Sequence, residues 1–176
     1  LGGYYLSGLD RCMVASLGTG TSFIYVNQDK HVHAGGTGIG GALLAALARN
    51  GLHIDDVGEF MELALKGDIN HTDLLIKDIS MSSVDYLTGD VTVANMAKIT
   101  EESSPEDYAY GVCNLVFQNV GVMAILADRS NMTGKIVVMG SIGRSKVARQ
   151  IFDAVGNLFG YEFIVPDEAL YGVAIG

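Results

Sequence analysis

The sequence predicts an α/β protein, a mixed sheet with helices on both faces, and three observations carry that expectation. Two runs rich in apolar and β-branched residues, 11–17 (RCMVASL) and 22–27 (SFIYVN), flank a glycine turn and read as a β-hairpin. The continuous apolar run Lys135-Ile-Val-Val-Met139 lies between Gly134 and Gly140, the pattern of a buried strand. From about residue 100 onward, helix-like and strand-like segments alternate, which makes part of the sheet parallel and covers its faces with helices.

The elements follow in order. Gln28-Asp29-Lys30 makes a turn, and 31–34 (HVHA) a short third strand. From about Gly40 the run ALLAALARNG carries strong helix formers and is expected to close on Gly51 as the C′ residue. Residues 55–66 place acids in a first turn and apolar side chains at Val57, Phe60, Met61 and Leu65, an amphipathic helix ending at Gly67. A short helix is expected over 71–77. Ser104-Pro105-Glu106-Asp107 is a helix start: Ser104 can cap, Pro105 suits the first helical position, and the acids favour the positive end of the dipole. That helix runs to about Asp128 with one apolar stripe at Ala109, Val112, Val116, Val120, Met123 and Ala127, and a second at Tyr108, Leu115, Val122 and Leu126. Apolar on two faces, it needs cover on both: it is either a central core helix or one shared between the sheet and a second subunit or further lobe. Residues 144–159 read as a helix, 161–165 as a strand and 168–175 as a helix start.

Composition bounds the function. A chain of 176 residues makes one domain or one lobe, and at this size about 70% of the unfolded surface is buried without need of a disulfide or metal staple. Glycine and polar residues interrupt the apolar stretches before the roughly 20 residues of a membrane span, so no membrane partner is expected. No basic region followed by an apolar one marks a signal peptide. The net charge of −9, from 20 acidic and 11 basic residues, argues against a nucleic-acid partner but leaves nucleotide binding open. Cys12 and Cys113 stand apart, without a Cys-x-x-Cys, and read as buried free thiols of a reducing, cytoplasmic compartment. The first nine residues look like the tail of an earlier segment, so an N-terminal lobe is expected upstream.

The chemistry is concentrated in glycine. Gly18-Thr19-Gly20-Thr21-Ser22 and Gly35-Gly36-Thr37-Gly38-Ile39-Gly40-Gly41 each follow a β-like run, and the second opens onto a helix. Glycine lets backbone approach an anion, and N–H groups at a helix start favour negative charge, so a nucleotide or phosphorylated ligand is expected. Read alone, the first could be an ordinary turn, although Thr19, Thr21 and Ser22 add hydroxyls that a plain turn does not need. The second is neither a Walker A loop nor a dinucleotide fingerprint. A third element, Met139-Gly140-Ser141-Ile142-Gly143-Arg144, follows the buried strand, where open α/β sheets bind ligands. His31, His33, His53 and His71 lack metal-ligand spacing, and no metal site is expected. Asp68, Asp73 and Asp78 read as caps and solvated groups, and no Gly-x-Ser-x-Gly supports acyl hydrolysis.

The order of these motifs resembles one family. Ser-Leu-Gly-Thr-Gly-Thr-Ser (16–22) precedes His-Ala-Gly-Gly-Thr-Gly-Ile-Gly-Gly (33–41), Ala-Leu-Lys-Gly-Asp (64–68) and Thr-Asp-Leu-Leu-Ile-Lys-Asp-Ile (72–79). Then come Val-Phe-Gln-Asn-Val-Gly (116–121), Val-Val-Met-Gly-Ser-Ile-Gly-Arg (137–144) and Asp-Glu-Ala-Leu-Tyr-Gly-Val-Ala-Ile-Gly (167–176). Across nearly its whole length the chain is similar to type II and eukaryotic-like pantothenate kinases, of the superfamily of acetate and sugar kinases, heat-shock ATPases and actin. The resemblance implies an actin-type ATPase lobe of ribonuclease H-like fold: residues 1–176 form a single C-terminal lobe with a helical insertion at about 40–100. It implies ATP and Mg²⁺ as cofactors, phosphorylation of pantothenate as the first step toward coenzyme A, and a homodimer through helix 105–128. It places Gly18, Thr19, Gly20 and Thr21 in the second phosphate loop, with Ser22 near pantothenate. Gly36, Thr37, Gly38 and Gly40 fall in the conjoined glycine loop, and Gly140 and Ser141 on the adenosine side. The catalytic Glu and the first phosphate loop are expected in the N-terminal lobe, not in this chain. One substrate position departs from the family: His33 stands where an Arg is usual, and a neutral imidazole does not replace a permanently charged bidentate donor. That departure leaves two alternatives open, a non-catalytic nucleotide-binding or regulatory member of the fold and a kinase for a related small alcohol.

Overall fold

The computed structural model describes residues 2–79, 89–167 and 169. The chain opens with a short helix, α1 (Gly2–Ser7), ahead of the expected hairpin of β1 (Arg11–Leu17) and β2 (Thr21–Asn27). Then follow β3 (His31–Thr37), α2 (Gly41–Leu52), α3 (Val57–Ala64), α4 (Ile69–Thr72), β4 (Leu74–Leu75), α5 (Ile76–Ile79) and β5 (Thr92–Ala94). The last elements are α6 (Pro105–Asp128), β6 (Lys135–Met139), a 3-10 turn (Ile142–Arg144), α7 (Lys146–Phe159) and β7 (Glu162–Ile164). The helix start expected at 168–175 lies outside the described residues, Ala169 excepted. Two compact units divide the chain, Leu1–Leu44 with Val116–Gly176, and Ala45–Leu115.

The first unit is built on a sheet of order β3-β2-β1-β6-β7. β1 pairs antiparallel with β2 and parallel with β6, and β6 pairs parallel with β7. The sheet is therefore mixed, as the alternation of elements requires. Cys12, Met13, Val14 and Ala15 are buried in succession, and so are Ile136 to Met139, because these central strands are covered on both faces. On one face Cys12, Val14, Val26, Val137 and Met139 form a cluster with Tyr4 and Leu6 of α1. A Cβ at Gly3 would lie 2.8 Å from Met139 Cγ, so α1 sits directly on the strands. On the other face Phe163 stacks on Phe152 of α7, with centroids 5.2 Å apart, and Phe152 meets Phe117 of α6 edge-on at 5.7 Å. Ser145 caps α7 by accepting from the Ala148 N–H, and Gly160, in the left-handed conformation, ends it. β3 is one edge strand, β7 the other, and His31, Val32, His33 and Ala34 of β3 are all exposed.

The second unit revises several local expectations. The helix expected over 71–77 is interrupted: α4 ends at Thr72, Leu74–Leu75 pairs antiparallel with β5, and α5 follows. Asp73 causes the break. Its fully buried carboxylate accepts from Thr72 Oγ1, Thr92 Oγ1, Asn95 Nδ2, Asn114 Nδ2 and the Met96 N–H, at 2.7–3.1 Å. Donors from β5, its following turn and α6 thus outcompete local helix propensity. Asp73 is the C-cap residue of α4, its N–H donating to the Ile69 carbonyl at 3.0 Å, but its side chain is buried and not solvated. Asp68 does cap α4 through the Asn70 N–H, and that hydrogen bond holds its carboxyl below the ordinary range. Asp78 is also held low, first by a hydrogen bond from Lys98 and then by the Leu75 N–H. Helix α2 does not close on Gly51, which lies inside it against the Tyr108 ring; His53 takes the left-handed position at φ 56°. α3 starts at Val57, capped by Asp56.

Helix α6 matches its predicted limits, and Ser104 Oγ accepts from the Asp107 N–H at 3.1 Å. By length and composition α6 could cross a membrane, which corrects the reading that no stretch reaches that span. Ala109, Val112, Val116, Phe117 and Val120 are fully buried in protein, however, so it is a core helix. Cys12 and Cys113 are free and buried; burial pushes their thiols up to about 11 and about 12, which keeps them protonated and unreactive at neutral pH. Asp73→Ala removes the one carboxylate on which five donors converge, and is expected to destabilise the protein by about 3 kcal/mol in urea unfolding.

Candidate functional site

The parallel pairing of β1 and β6 brings the carboxyl ends of both strands to one edge of the sheet. β2 begins and β3 ends at that same edge, because each runs antiparallel to its neighbour. The three glycine elements therefore meet there. They are joined by peptide groups: the Gly41 N–H donates to the Gly18 carbonyl at 2.8 Å, and the Ala42 N–H to the Thr19 carbonyl at 3.0 Å. A Cβ at Gly40 would lie 2.7 Å from Gly20 Cα and from the Thr19 carbonyl oxygen, and one at Gly20 would lie 2.7 Å from the Thr37 carbonyl oxygen. The third element closes on the first. Gly140 has φ 118°, and a Cβ there would collide with the Leu17 carbonyl.

Side chains complete the junction. Thr21 is buried and its hydroxyl donates to the Ile39 carbonyl at 2.8 Å. Thr37 Oγ1 accepts from the Ile39 N–H at 3.2 Å. Ser22 is half-buried, paired with Ser16 on β1 and Gly36 on β3. Gly18, Thr19, Gly36, Gly38 and Ser141 are exposed at this edge, whereas Gly40 is buried. His33 is exposed on β3, across from Ile24 and before the bulge that precedes Gly35. The residues proposed from sequence thus divide in two. Gly20, Thr21, Thr37, Gly40 and Gly140 hold the loops against one another, while Gly18, Thr19, Gly36, Gly38 and Ser141 face solvent. The first-turn amides of Gly41 and Ala42, turned toward an anion in the sequence reading, are occupied by carbonyls. Sequence reasoning overlooked Ile39, whose two peptide groups both threonines grip. No local signal marks it, because the pairing of Thr21 with Thr37 across β2 and β3 joins residues distant along the chain.

The charge at this edge is distinctive. Although the chain carries −9 overall, no Asp or Glu occurs in 16–22, 33–41 or 139–144, and Arg144 is exposed in the 3-10 turn. Loops that carry peptide dipoles and Arg144 but no carboxylate of their own favour an anionic ligand.

The mixed sheet, with glycine loops at one carboxyl edge and helices on both faces, has the actin-like fold. The activator of 2-hydroxyisocaproyl-CoA dehydratase from Clostridium difficile, solved with bound ADPNP, shares it. The two superimpose with a TM-score of 0.59 at 17% identity, over 93% of this chain and 57% of that one. The chain belongs to the Fumble family, whose model matches residues 11–155. It is 27% identical over 173 residues to a type II pantothenate kinase of Staphylococcus haemolyticus, covering 96% of this chain and 65% of that protein. It is 28% identical over 167 residues to a type II pantothenate kinase of Staphylococcus aureus strain USA300, covering 92% of this chain and 62% of that protein. The chain therefore spans somewhat less than two thirds of the length of these relatives.

The interlock separates two otherwise similar glycines. Gly40→Ala forces a Cβ into backbone and is expected to destabilise by about 2 kcal/mol. Gly38→Ala, whose Cβ would meet nothing within 4 Å, should change the unfolding free energy by under ~0.5 kcal/mol.

Proposed function

We propose that the protein to which this chain belongs transfers the γ-phosphoryl group of ATP to the hydroxyl of pantothenate, the first step toward coenzyme A. The observation that carries the reading is the convergence of three acid-free glycine loops at one sheet edge, in a chain of the Fumble family. Gly18, Thr19, Gly20 and Thr21 form the second phosphate loop. Gly36, Thr37, Gly38 and Gly40 form the conjoined loop, and Gly140 and Ser141 border the adenosine. Ser22 and His33 face the alcohol substrate.

The alcohol oxygen attacks the γ-phosphorus, the bond to the bridging oxygen of ADP breaks, and the hydroxyl proton passes to a carboxylate expected in the N-terminal lobe. The loop amides are already oriented when negative charge develops on the transferred group, so little reorganisation is needed. Mg²⁺ bound with the triphosphate would neutralise part of its charge; the three loops carry no Asp or Glu, and their hydroxyls and amides would face the phosphates. Buried, protonated thiols at Cys12 and Cys113 suit a cytoplasmic enzyme.

The full-length protein is expected to release ADP from ATP and Mg²⁺ only when pantothenate is present. His33 supports a second reading, a kinase for a related alcohol or a regulatory member. Under the pantothenate reading, His33→Arg adds a charged donor and should raise kcat/KM for pantothenate about tenfold. No turnover with pantothenate, together with intact ATP binding and turnover on another alcohol, would transfer the assignment to that substrate.

A homodimer through helix 105–128 is part of the proposal. Met123 and Leu126 of α6 are exposed, as are Met132 and Phe159 nearby in sequence to the ends of α6 and α7. Leu126→Glu is expected to halve the mass of the full-length protein in sedimentation; a wild-type monomer would exclude this contact.

A further inference from the structure

Two threonines at the loop junction hydrogen-bond the main chain of one residue. The residue between them, Ile39, is held at both of its peptide groups. Its N–H donates to Thr37 Oγ1 at 3.2 Å, and its carbonyl accepts from Thr21 Oγ1 at 2.8 Å. Thr21 belongs to the first loop and Thr37 to the second, so the two loops clamp one residue. A trans peptide is planar, with its N–H directed opposite to its carbonyl. Drawing the Ile39 carbonyl toward buried Thr21 therefore turns the Gly40 N–H the other way. In the same manner, holding the Ile39 N–H on Thr37 sets the direction of the Gly38 carbonyl. Nothing else restrains Gly38 sterically: it is exposed, and a Cβ there would touch no atom within 4 Å. The Gly38–Gly40 segment is consequently held by two hydroxyl hydrogen bonds at its middle and by the Gly20–Gly40 backbone contact at its end.

We propose that Thr21 and Thr37 are positioning residues: by clamping Ile39 they fix the peptides of Gly38 to Gly40 in the orientation that receives the phosphate groups. This rests on the nucleotide reading given above and adds to it that the Thr21 hydroxyl acts through Ile39 and does not touch the ligand. Valine at either position keeps the branched shape and removes the hydrogen bond, whereas serine at 21 keeps the hydroxyl.

The test uses full-length protein, with ATP binding by calorimetry, KM and kcat measured separately, and amide hydrogen exchange over 36–42. Thr21→Val is expected to weaken ATP binding about fivefold to tenfold, the worth of one such hydrogen bond, and to speed exchange at Ile39 and Gly40. The effect should fall on the KM for ATP more than on kcat. Thr21→Ser should restore both readouts to within about twofold. Thr37→Val should resemble Thr21→Val, and the double variant should lose less than the product of the two, because both act on one residue. Thr21→Val that binds ATP as the wild type does would overturn the clamp and leave the nucleotide reading standing. So would Thr21→Ser that behaves like Thr21→Val, since the methyl and not the hydroxyl would then matter. Wild-type protein that binds no ATP would overturn the nucleotide reading, and the positioning role with it. If Thr21→Val fails to fold, Thr37→Val, at a half-buried position, carries the same comparison.

Discussion

The contact on which this sheet edge depends is between main chains. Gly20, Gly40 and the carbonyls of Thr19 and Thr37 approach so closely that a Cβ at either glycine would sit 2.7 Å from backbone. No side chain fits there, and no side-chain motion relieves the clash. The glycine content of these loops is thus set first by the need of two strand ends and a helix start to share one space. Ligand approach is a second consequence of the same bare backbone. Close packing of peptide groups also imposes its own accounting, since buried N–H and carbonyl groups must be paired. The Gly41 and Ala42 amides are paired with Gly18 and Thr19, and the peptides of Ile39 with two threonines. What remains unpaired at the exposed rim is oriented by what is paired beneath it.

The same constraint explains the electrostatics. A chain with an excess of nine negative charges repels a triphosphate at long range. Keeping carboxylates out of all three loops makes the local field that of oriented peptide dipoles with Arg144 beside them. At physiological salt, carboxylates farther away than the Debye length of about 8 Å are largely screened, so the local arrangement outweighs the net charge.

Strong local signals made much of the fold legible. The hairpin of β1 and β2, the strand β6 and the limits of α6 each follow from an apolar period or a cap visible within a few residues. β3 continues three residues past its expected end because it pairs with β2 through Gly35, Gly36 and Thr37, and pairing across strands is not a local property. α1 carries no amphipathic period and exists through Gly3 lying on Met139 and Val14. The break at Asp73 was hidden for the same reason: its donors come from residues 92–96 and 114, far along the chain. At the site, position was readable and role was not. Glycine marks close approach without saying whether a ligand or another loop approaches, and threonine marks a hydroxyl without saying which oxygen it meets.

β6 carries the third loop, and it is tied at both ends. At its amino end Asp128, the last residue of α6, accepts from the N–H groups of Thr133 and Gly134 at 2.8 and 3.3 Å. A carboxylate at a helix C-terminus opposes the helix dipole. Asp128 Oδ1 is moreover buried without a hydrogen-bond partner among the described residues. Asp128 is therefore poorly placed for α6 itself, and its two amide contacts act on the turn into β6. At the carboxyl end Gly140 lies on the Leu17 carbonyl, in a conformation that other residues rarely adopt. Between these ends Met13 to Ser16 pair in register with Ile136 to Met139. A strand fixed by ladder, turn and backbone contact cannot slide by part of a residue. Ser141, the next exposed residue, is thus held at a set distance from the first loop, which is what a site divided among three separate loops requires.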